Sequence, residues 1–445
     1  MLIKNLHFYF WLFFCMFVLM SCSKDIDPDP DPGPDPHVVP DPPPHGSVAE
    51  RTVLIYMGGD NDLDTKGLTA KDLDEMKEAI KTMDANLYSH NNLLIFYDQY
   101  SETLRPRLYR LIKKGEVIPS ETDPDKKELV IVTEEELIYE YPQEITFTKP
   151  AILKEVMDMA FDEFPAKSYG FVYWSHGEGW LPVKSQNMAI RSLSPLRWMG
   201  LDKNNKSDSF KSEISELADV LKLAPKRFDF ILFDACFMLS LESSYELRDC
   251  ADFIISSPTE TPGPGAPYTE VVPMMFASSQ AAIKMAEAYF KYYNDKYNPN
   301  VKTTNSNWTG GVSLGVLDCA KLTKLADVTK ANLSTSSNLN TLLNEIFDYD
   351  KRNYYSHVGY YDMVQLMEKV LKPTGVDEWK NAFNEALPYW KTTPKNYSSS
   401  YGMFSMEGTN GVSHYIPSGE STATRDADYR NTAWYKDAGL SQLGW

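Results

Sequence analysis

The run Phe228-Asp-Phe-Ile-Leu-Phe-Asp234-Ala-Cys236 restricts the possible folds of this chain more than any other stretch. Phe230 to Phe233 is short, continuous and apolar, the pattern of a strand buried on both faces of a parallel sheet. Such a strand needs helices on both sides, so the chain reads as an α/β protein. The run stops at Asp234-Ala235-Cys236. Phe237 to Leu247 then reads as a helix, with Met238, Leu241 and Tyr245 at helical spacing. Cys236 is thus predicted between a strand's carboxyl end and a helix's amino end, the edge where open α/β sheets bind ligands. The partial positive charge of the helix terminus favours a thiolate there.

A lone cysteine is often buried and inert. A second apolar run, Tyr169-Gly-Phe-Val-Tyr-Trp174, ends in Ser175-His176-Gly177-Glu178-Gly179-Trp180 and gives Cys236 a partner. If the two strands are parallel neighbours, His176 and Cys236 reach one crevice. A thiol nucleophile needs such an imidazole to take its proton. Gly177 permits close backbone approach, so that its N–H can face an oxyanion.

Strand-His-Gly followed about sixty residues later by strand-Asp-Ala-Cys resembles the clostripain family of clan CD cysteine peptidases, relatives of caspases, legumain and gingipains. Thr52-Val-Leu-Ile-Tyr-Met57 and the turn Gly58-Gly-Asp-Asn61-Asp-Leu63 look like the family's opening strand and Asp-Asn-x-Leu turn. Pro165-Ala-Lys-Ser-Tyr169 resembles the lead into the His strand, and Ile254-Ile-Ser-Ser257-Pro-Thr-Glu260 the strand after the Cys helix. The similarity covers residues 51 to 270, weakening towards the C-terminus. It implies a caspase-like, mostly parallel sheet flanked by helices on both faces, with a C-terminal α+β subdomain. It further implies a cysteine endopeptidase working through a thioacyl intermediate. Cys236 is the expected nucleophile, and His176 the group that supports the thiolate and protonates the leaving amine. The Gly177 and Cys236 N–H groups are expected to form the oxyanion hole. No third catalytic member is legible, and the resemblance implies that a dyad suffices.

Asp234 lies two residues before Cys236, and strand alternation would let both face one side. A buried carboxylate there would pair with Arg or Lys at P1, and family members prefer basic P1 residues and carry an acid at this position. The alternative is that Asp234 caps the following helix. Glu260 is a second substrate-binding candidate, carried by resemblance alone. Calcium is implied for some relatives. Asp60, Asp62 and Asp64 alternate like calcium ligands, but the Gly and distal Glu of an EF-hand loop are missing. We read them chiefly as helix-capping residues, with lining of a substrate pocket as the alternative, and assign no metal ligand. No cofactor is expected.

Lys and Arg number 44 against 62 Asp and Glu, a net charge of −18 over 445 residues. That balance argues against nucleic-acid binding and would attract basic peptides, although it equally serves solubility. The cysteines Cys15, Cys22, Cys236, Cys250 and Cys319 make neither a disulfide framework nor a zinc pattern. Residues 1–21 read as a signal peptide, with Lys4 before the apolar core Phe8 to Met20. Leu19-Met20-Ser21-Cys22 resembles a bacterial lipobox, which makes Cys22 the lipidated residue and the membrane a partner. The following Ser23-Lys24-Asp25-Ile26-Asp27 resembles the acidic tether of Bacteroidota-type surface lipoproteins. The expected location is the cell envelope, at the outer membrane or the cell surface. Residues 22–50 form an Asp/Pro-rich spacer. Residues 51–300 read as the catalytic domain and 301–445 as the subdomain packed on it.

Arg107–Ile112 and Leu129–Val132 read as hairpin-like segments. Thr148-Lys149-Pro150 opens a helix, with Thr148 as candidate cap. Leu181 to Phe210 reads as a long loop whose Lys184, Arg191, Arg197, Lys203 and Lys206 suit either self-cleavage or plain solvation. Pro258 to Pro267 is a rigid loop suited to a wall of the specificity pocket. Tyr401 to Pro417 reads as a strand pair turning at Gly408-Thr-Asn-Gly411. Two other functions compete: a catalytically silent surface lipoprotein that binds peptide or glycan on the same fold, and a thiol hydrolase of non-peptide esters or amides.

Overall fold

The apolar runs become neighbouring strands of one sheet. The computed structural model describes residues 39–119, 127–181, 199–203, 210–303, 308–334, 343–352, 357–417 and 423–445. The signal segment, Cys22 and most of the spacer lie outside the described residues, as do Lys184, Arg191, Arg197 and Lys206.

The strands are β1 (Ala49–Gly59), β2 (Asn91–Gln99), β3 (Arg107–Pro119), β4 (Lys127–Glu140), β5 (Ala166–Trp174), β6 (Met199–Asp202), β7 (Phe210–Ser212), β8 (Phe228–Asp234), β9 (Ala251–Ser256), β10 (Ser313–Asp318), β11 (Tyr361–Asp362), β12 (Tyr389–Thr392), β13 (Lys395–Ser398), β14 (Gly402–Ser405) and β15 (Ser413–His414). Nine of them form one sheet in the order β12-β10-β9-β8-β5-β1-β2-β3-β4. Strands β9, β8, β5, β1 and β2 run parallel, and antiparallel strands extend both flanks. The chain is thus α/β with a mixed, mostly parallel sheet, as the apolar runs predict, and with helices on both faces, as the resemblance implies.

Side-chain alternation sorts each strand onto two faces. Val53, Ile55, Met57, Val172, Trp174, Phe230 and Leu232 pack with helices α2 (Leu68–Thr82), α7 (Tyr268–Met275) and α8 (Ala281–Asp295). Leu54, Tyr56, Phe171, Tyr173, Ile231 and Phe233 pack with α4 (Pro150–Glu163) and α5 (Ile214–Leu221). A third core gathers most apolar side chains from Leu317 to Trp445 around Trp180, Leu181, Phe237, Leu239, Leu241 and Tyr245. It therefore sits against the segments that follow His176 and Cys236.

Several expectations need correction. The helix after Cys236 is α6 (Leu241–Glu246), six residues capped by Ser240. It begins too late for its terminus to act on Cys236, because Phe237 adopts a left-handed φ of 60° and the chain turns before helix can form. The segment after Asp60 is split into α1 (Asp62–Thr65) and α2 by Gly67, at φ 71°. After the Pro258–Pro267 loop come the two helices α7 and α8. Within Leu181 to Phe210, Met199–Asp202 is buried strand paired with β7 rather than exposed loop. Helix α4 is entered through Lys149 with Pro150 at its start, and Thr148 is not the cap. The strand pair around residue 401 is β13–β14, turning at Ser399–Tyr401, whereas β15 pairs with β11. The Arg107 and Leu129 segments form the long hairpin β3–β4.

Candidate active site

Register brings the two motifs together. In the parallel pair β5–β8, Trp174 lies opposite Asp234, the last pair of the ladder. His176 and Cys236 each follow two residues later, so they leave the sheet at the same level. Their contact is close at the backbone. A Cβ placed on Gly177 would lie 2.8 Å from Ala235 Cβ, 2.9 Å from the Cys236 carbonyl oxygen and 3.3 Å from its nitrogen. Glycine at 177 is thus required by the approach of the two strand ends. Among the described residues no acceptor takes the Gly177 or Cys236 N–H, so both amides are available to a developing oxyanion.

The imidazole is oriented from the start of α1, just past a third strand. His176 Nε2 lies 2.8 Å from Asp62 Oδ1, whose other oxygen accepts Lys66 Nζ at 2.6 Å. The hydrogen bond with His176, supported by Lys66, holds the Asp62 carboxyl well below the usual carboxylate range against the opposing effect of burial. Asp62 sits just past β1, which is the neighbour of β5. Sequence reasoning placed it among capping residues. The cap of α1 is instead Asn61, which accepts from Leu63 N–H.

The Cys236 thiol rests between the two strands and the 258–267 loop. Thr261 N–H and Oγ1 lie 3.3 and 3.4 Å from Sγ. Burial first, and the Glu260 charge second, push the thiol up to about 12. No helix terminus therefore holds Cys236 as a resting thiolate. A thiol in this state would need a proton acceptor before it could act as a nucleophile.

Asp234 does not face the same way as Cys236. It continues the parity of Phe230 and Leu232 and points to the α2/α7/α8 face, while Cys236 packs on the third core. Asp234 is 5% exposed. It accepts Ala266 N–H at 2.8 Å, Tyr268 Oη–H at 3.0 Å and Tyr289 Oη–H at 3.3 Å. It caps no helix. Burial raises its carboxyl to about 6, with those three donors opposing. Asp72, missed by sequence reasoning, points to the same spot. A Cβ on Gly265 (φ 69°) would meet Asp234 Oδ2 at 2.6 Å and Asp72 Oδ2 at 2.9 Å. Asp72 accepts Trp174 Nε1–H at 2.7 Å and is itself raised, by burial first and Asp234 second. Two carboxylates thus converge under the Pro258–Pro267 loop, which contributes Gly265 and Ala266. Glu260 is half-buried and turned towards the β13–β14 turn, accepting Ser398 Oγ–H at 2.7 Å and Ser399 N–H at 3.0 Å.

Asp60, Asp62 and Asp64 do not converge on a cation. Asp62 is engaged with His176, and Asp64 accepts from Tyr97 Oη at 2.7 Å, Tyr100 N–H at 2.9 Å and Thr69 Oγ1. Among the described residues no group of three or more His, Cys, Asp or Glu side chains is arranged to hold a metal ion. These three residues do not fit a calcium site, and no catalytic step is derived through one. Among the described residues, no helix is long and apolar enough to cross a membrane.

A sequence model of the clostripain family matches residues 55–444. Among curated proteins, none matches the chain significantly. Among solved structures, a secreted C11 cysteine protease from Bacteroides thetaiotaomicron, in complex with an irreversible peptide inhibitor, is 36% identical. That alignment covers 88% of this chain and 99% of the other, with a TM-score of 0.72. An inactive zymogen C11 protease from Parabacteroides distasonis is 27% identical over the same shares, with a TM-score of 0.68. A second secreted C11 protease from Bacteroides thetaiotaomicron, at 21% identity and TM-score 0.68, shares the fold. With strand-His-Gly set against strand-Asp-Ala-Cys in one sheet edge, and the family match running through almost the whole described chain, this protein belongs to the clostripain family and is a cysteine peptidase.

Proposed function

We propose that the chain is an endopeptidase that cuts after Arg or Lys through Cys236 and His176. The observation that carries this reading is the meeting of the two strand ends at Gly177, where an added Cβ would lie only 3.3 Å from the Cys236 amide nitrogen. In the proposed cycle, His176 takes the Cys236 proton as Sγ attacks the scissile carbonyl. The Gly177 and Cys236 N–H groups receive the oxyanion. His176 then gives its proton to the leaving amine, and the C–N bond breaks to leave a thioacyl enzyme. Water, deprotonated by His176, attacks that carbonyl; the C–S bond breaks, and Cys236 recovers its proton. Asp62 holds the imidazole in register throughout.

The basic P1 side chain pairs with Asp234, with Asp72 beside it, once the Pro258–Pro267 loop that closes over both carboxylates at Gly265 gives way. Burial supports this role, since a carboxylate raised to about 6 gains most from a bound cation. Glu260 contributes negative charge nearer the thiol while it ties the β13–β14 turn. The hold of Thr261 on Sγ and the raised thiol favour a resting form that substrate must open. Export and lipid anchoring at Cys22 complete the proposal, in keeping with the relative described as secreted.

The test is hydrolysis of paired fluorogenic peptides with Arg, Lys, Ala or Asp at P1, beside Cys236→Ala. Cleavage confined to basic P1 and lost in the variant is the expected result. Silence on every substrate, before and after limited trypsin nicking, would return the chain to a peptide- or glycan-binding role.

A further inference from the structure

We propose that Arg352 is a positioning residue for proteolysis, and that the C-terminal part of the chain acts on the reaction through it. The proposal rests on the reading that His176 and Cys236 carry the chemistry. One guanidinium joins the segments that follow both residues. Arg352 Nη1 donates to Glu178 Oε2 at 2.5 Å, two residues past His176. Its Cζ stands 4.4 Å from the ring centre of Phe237, the residue after Cys236. Asp350 fixes the guanidinium from behind, accepting Nε–H at 2.7 Å and Nη2–H at 2.9 Å. Asp350 is in turn held by Val358 N–H at 2.8 Å.

This bridge is buried and has a second strut. The side chains of Arg352, Glu178 and Asp350 are 6%, 13% and 0% exposed. Ion pairs at the surface contribute little to geometry, but a buried fork holds both partners in one arrangement. The Phe237 ring stacks on Tyr360 as well, with centroids 5.1 Å apart and planes 12° from parallel. The Tyr360 hydroxyl donates to the Glu178 carbonyl. Arg352 and Tyr360 therefore each touch both the His176 loop and the Cys236 turn. Phe237 needs such support, because a bulky residue rarely adopts the left-handed φ of 60° that it holds. That turn takes Cys236 out of the β8 direction. Asp62 holds the imidazole and Thr261 the thiol, each from its own side, whereas the Arg352–Tyr360 bridge ties the two segments to each other.

The test compares wild type, Arg352→Lys and Phe237→Leu in the full chain. Arg352→Lys keeps a positive charge for the two buried carboxylates but loses the fork. Phe237→Leu keeps the ion pairs and removes the stacked ring. The measurements are kcat and KM per site titrated with an irreversible peptide inhibitor, with melting temperature recorded alongside. The rate of Cys236 alkylation by iodoacetamide against pH reads the thiol when no substrate is turned over. The expected result is a fall in kcat of about tenfold or more per titrated site, KM changed by less than about threefold, and an altered alkylation profile. A merely structural role would lower the number of titrated sites and leave kcat per site unchanged. If Arg352→Lys does not fold, Phe237→Leu decides alone. A kcat per site within about twofold of wild type in the folded variants overturns the proposal. If wild type cuts no basic peptide, the alkylation profile still separates a failed specificity reading from a failed positioning one.

Discussion

Asp234→Asn is expected to make the protein more stable and far less active on basic substrates. The carboxyl moves from 3.8 to about 6 on folding because burial disfavours its charge. That displacement corresponds to about 3 kcal/mol of cost for holding the ionised form in the native state. The sign follows from proton counting. Between 3.8 and about 6 the native state binds more protons at this group than the unfolded chain does, so wild-type stability falls as pH rises through that window. Asparagine stays neutral and is spared the loss. Its amide oxygen can replace Oδ2, accepting Ala266 N–H and Tyr268 Oη–H. Its NH₂ then faces Tyr289, whose hydroxyl can rotate to accept. Allowing roughly 1 kcal/mol for imperfect fit, a gain of about 2 kcal/mol remains above about pH 6, a rise of a few degrees in Tm. Below about pH 4 the gain disappears. Activity moves the other way, since a desolvated charge pair loses one partner. kcat/KM for Arg or Lys at P1 should drop by about 10²-fold or more, with any turnover at Ala unchanged. In wild type, kcat/KM for basic P1 should rise with pH through about 6 as Asp234 ionises. Thermal melts of both proteins from about pH 4 to about pH 8, with peptide assays, make the comparison. A Tm difference that is flat across that range, or a wild type that is the more stable above about pH 6, would refute the reasoning.

Asp62→Asn keeps the shape of the His176 partner but removes its charge, and should lower kcat by about 10- to 100-fold with little change in KM, as read by steady-state kinetics. Gly177→Ala drives a methyl to within 2.9 Å of the Cys236 carbonyl oxygen; it should abolish most turnover and cost about 1–3 kcal/mol in denaturant melts. At Gly170 the added methyl would sit 2.3 Å from the Phe230 ring across the β5–β8 pair. Gly170→Ala should therefore lower stability by a similar amount, roughly 1–3 kcal/mol, while kcat per titrated site stays near wild type. Cys22→Ala should move the expressed protein from the detergent phase to the aqueous phase in a Triton X-114 partition; persistence in the detergent phase would exclude lipid anchoring at Cys22.

Short-range pattern revealed the elements that carry the chemistry. The runs ending at Trp174 and Phe233 are apolar on every successive residue, a signal that needs no partner to be recognised. The abrupt polar stops after them marked His176 and Cys236. The same local reading failed just past Cys236, where helix formers suggested continuous helix but the backbone turns left-handed at Phe237. Helix propensity is weak, and that turn is held by Tyr360 and Arg352 from far along the chain. What surrounds the two residues depended on tertiary structure for the same reason. Asp62 meets His176 across 114 positions and Arg352 meets Glu178 across 174. The strand order β8-β5-β1 and the packing of the third core create those meetings, and no spacing along the chain encodes them. Asp234 shows both sides at once: its position before the cysteine was visible in the sequence. Its orientation away from Cys236, towards Asp72, was decided by the parity of a strand whose alternation ends where the chain leaves the sheet.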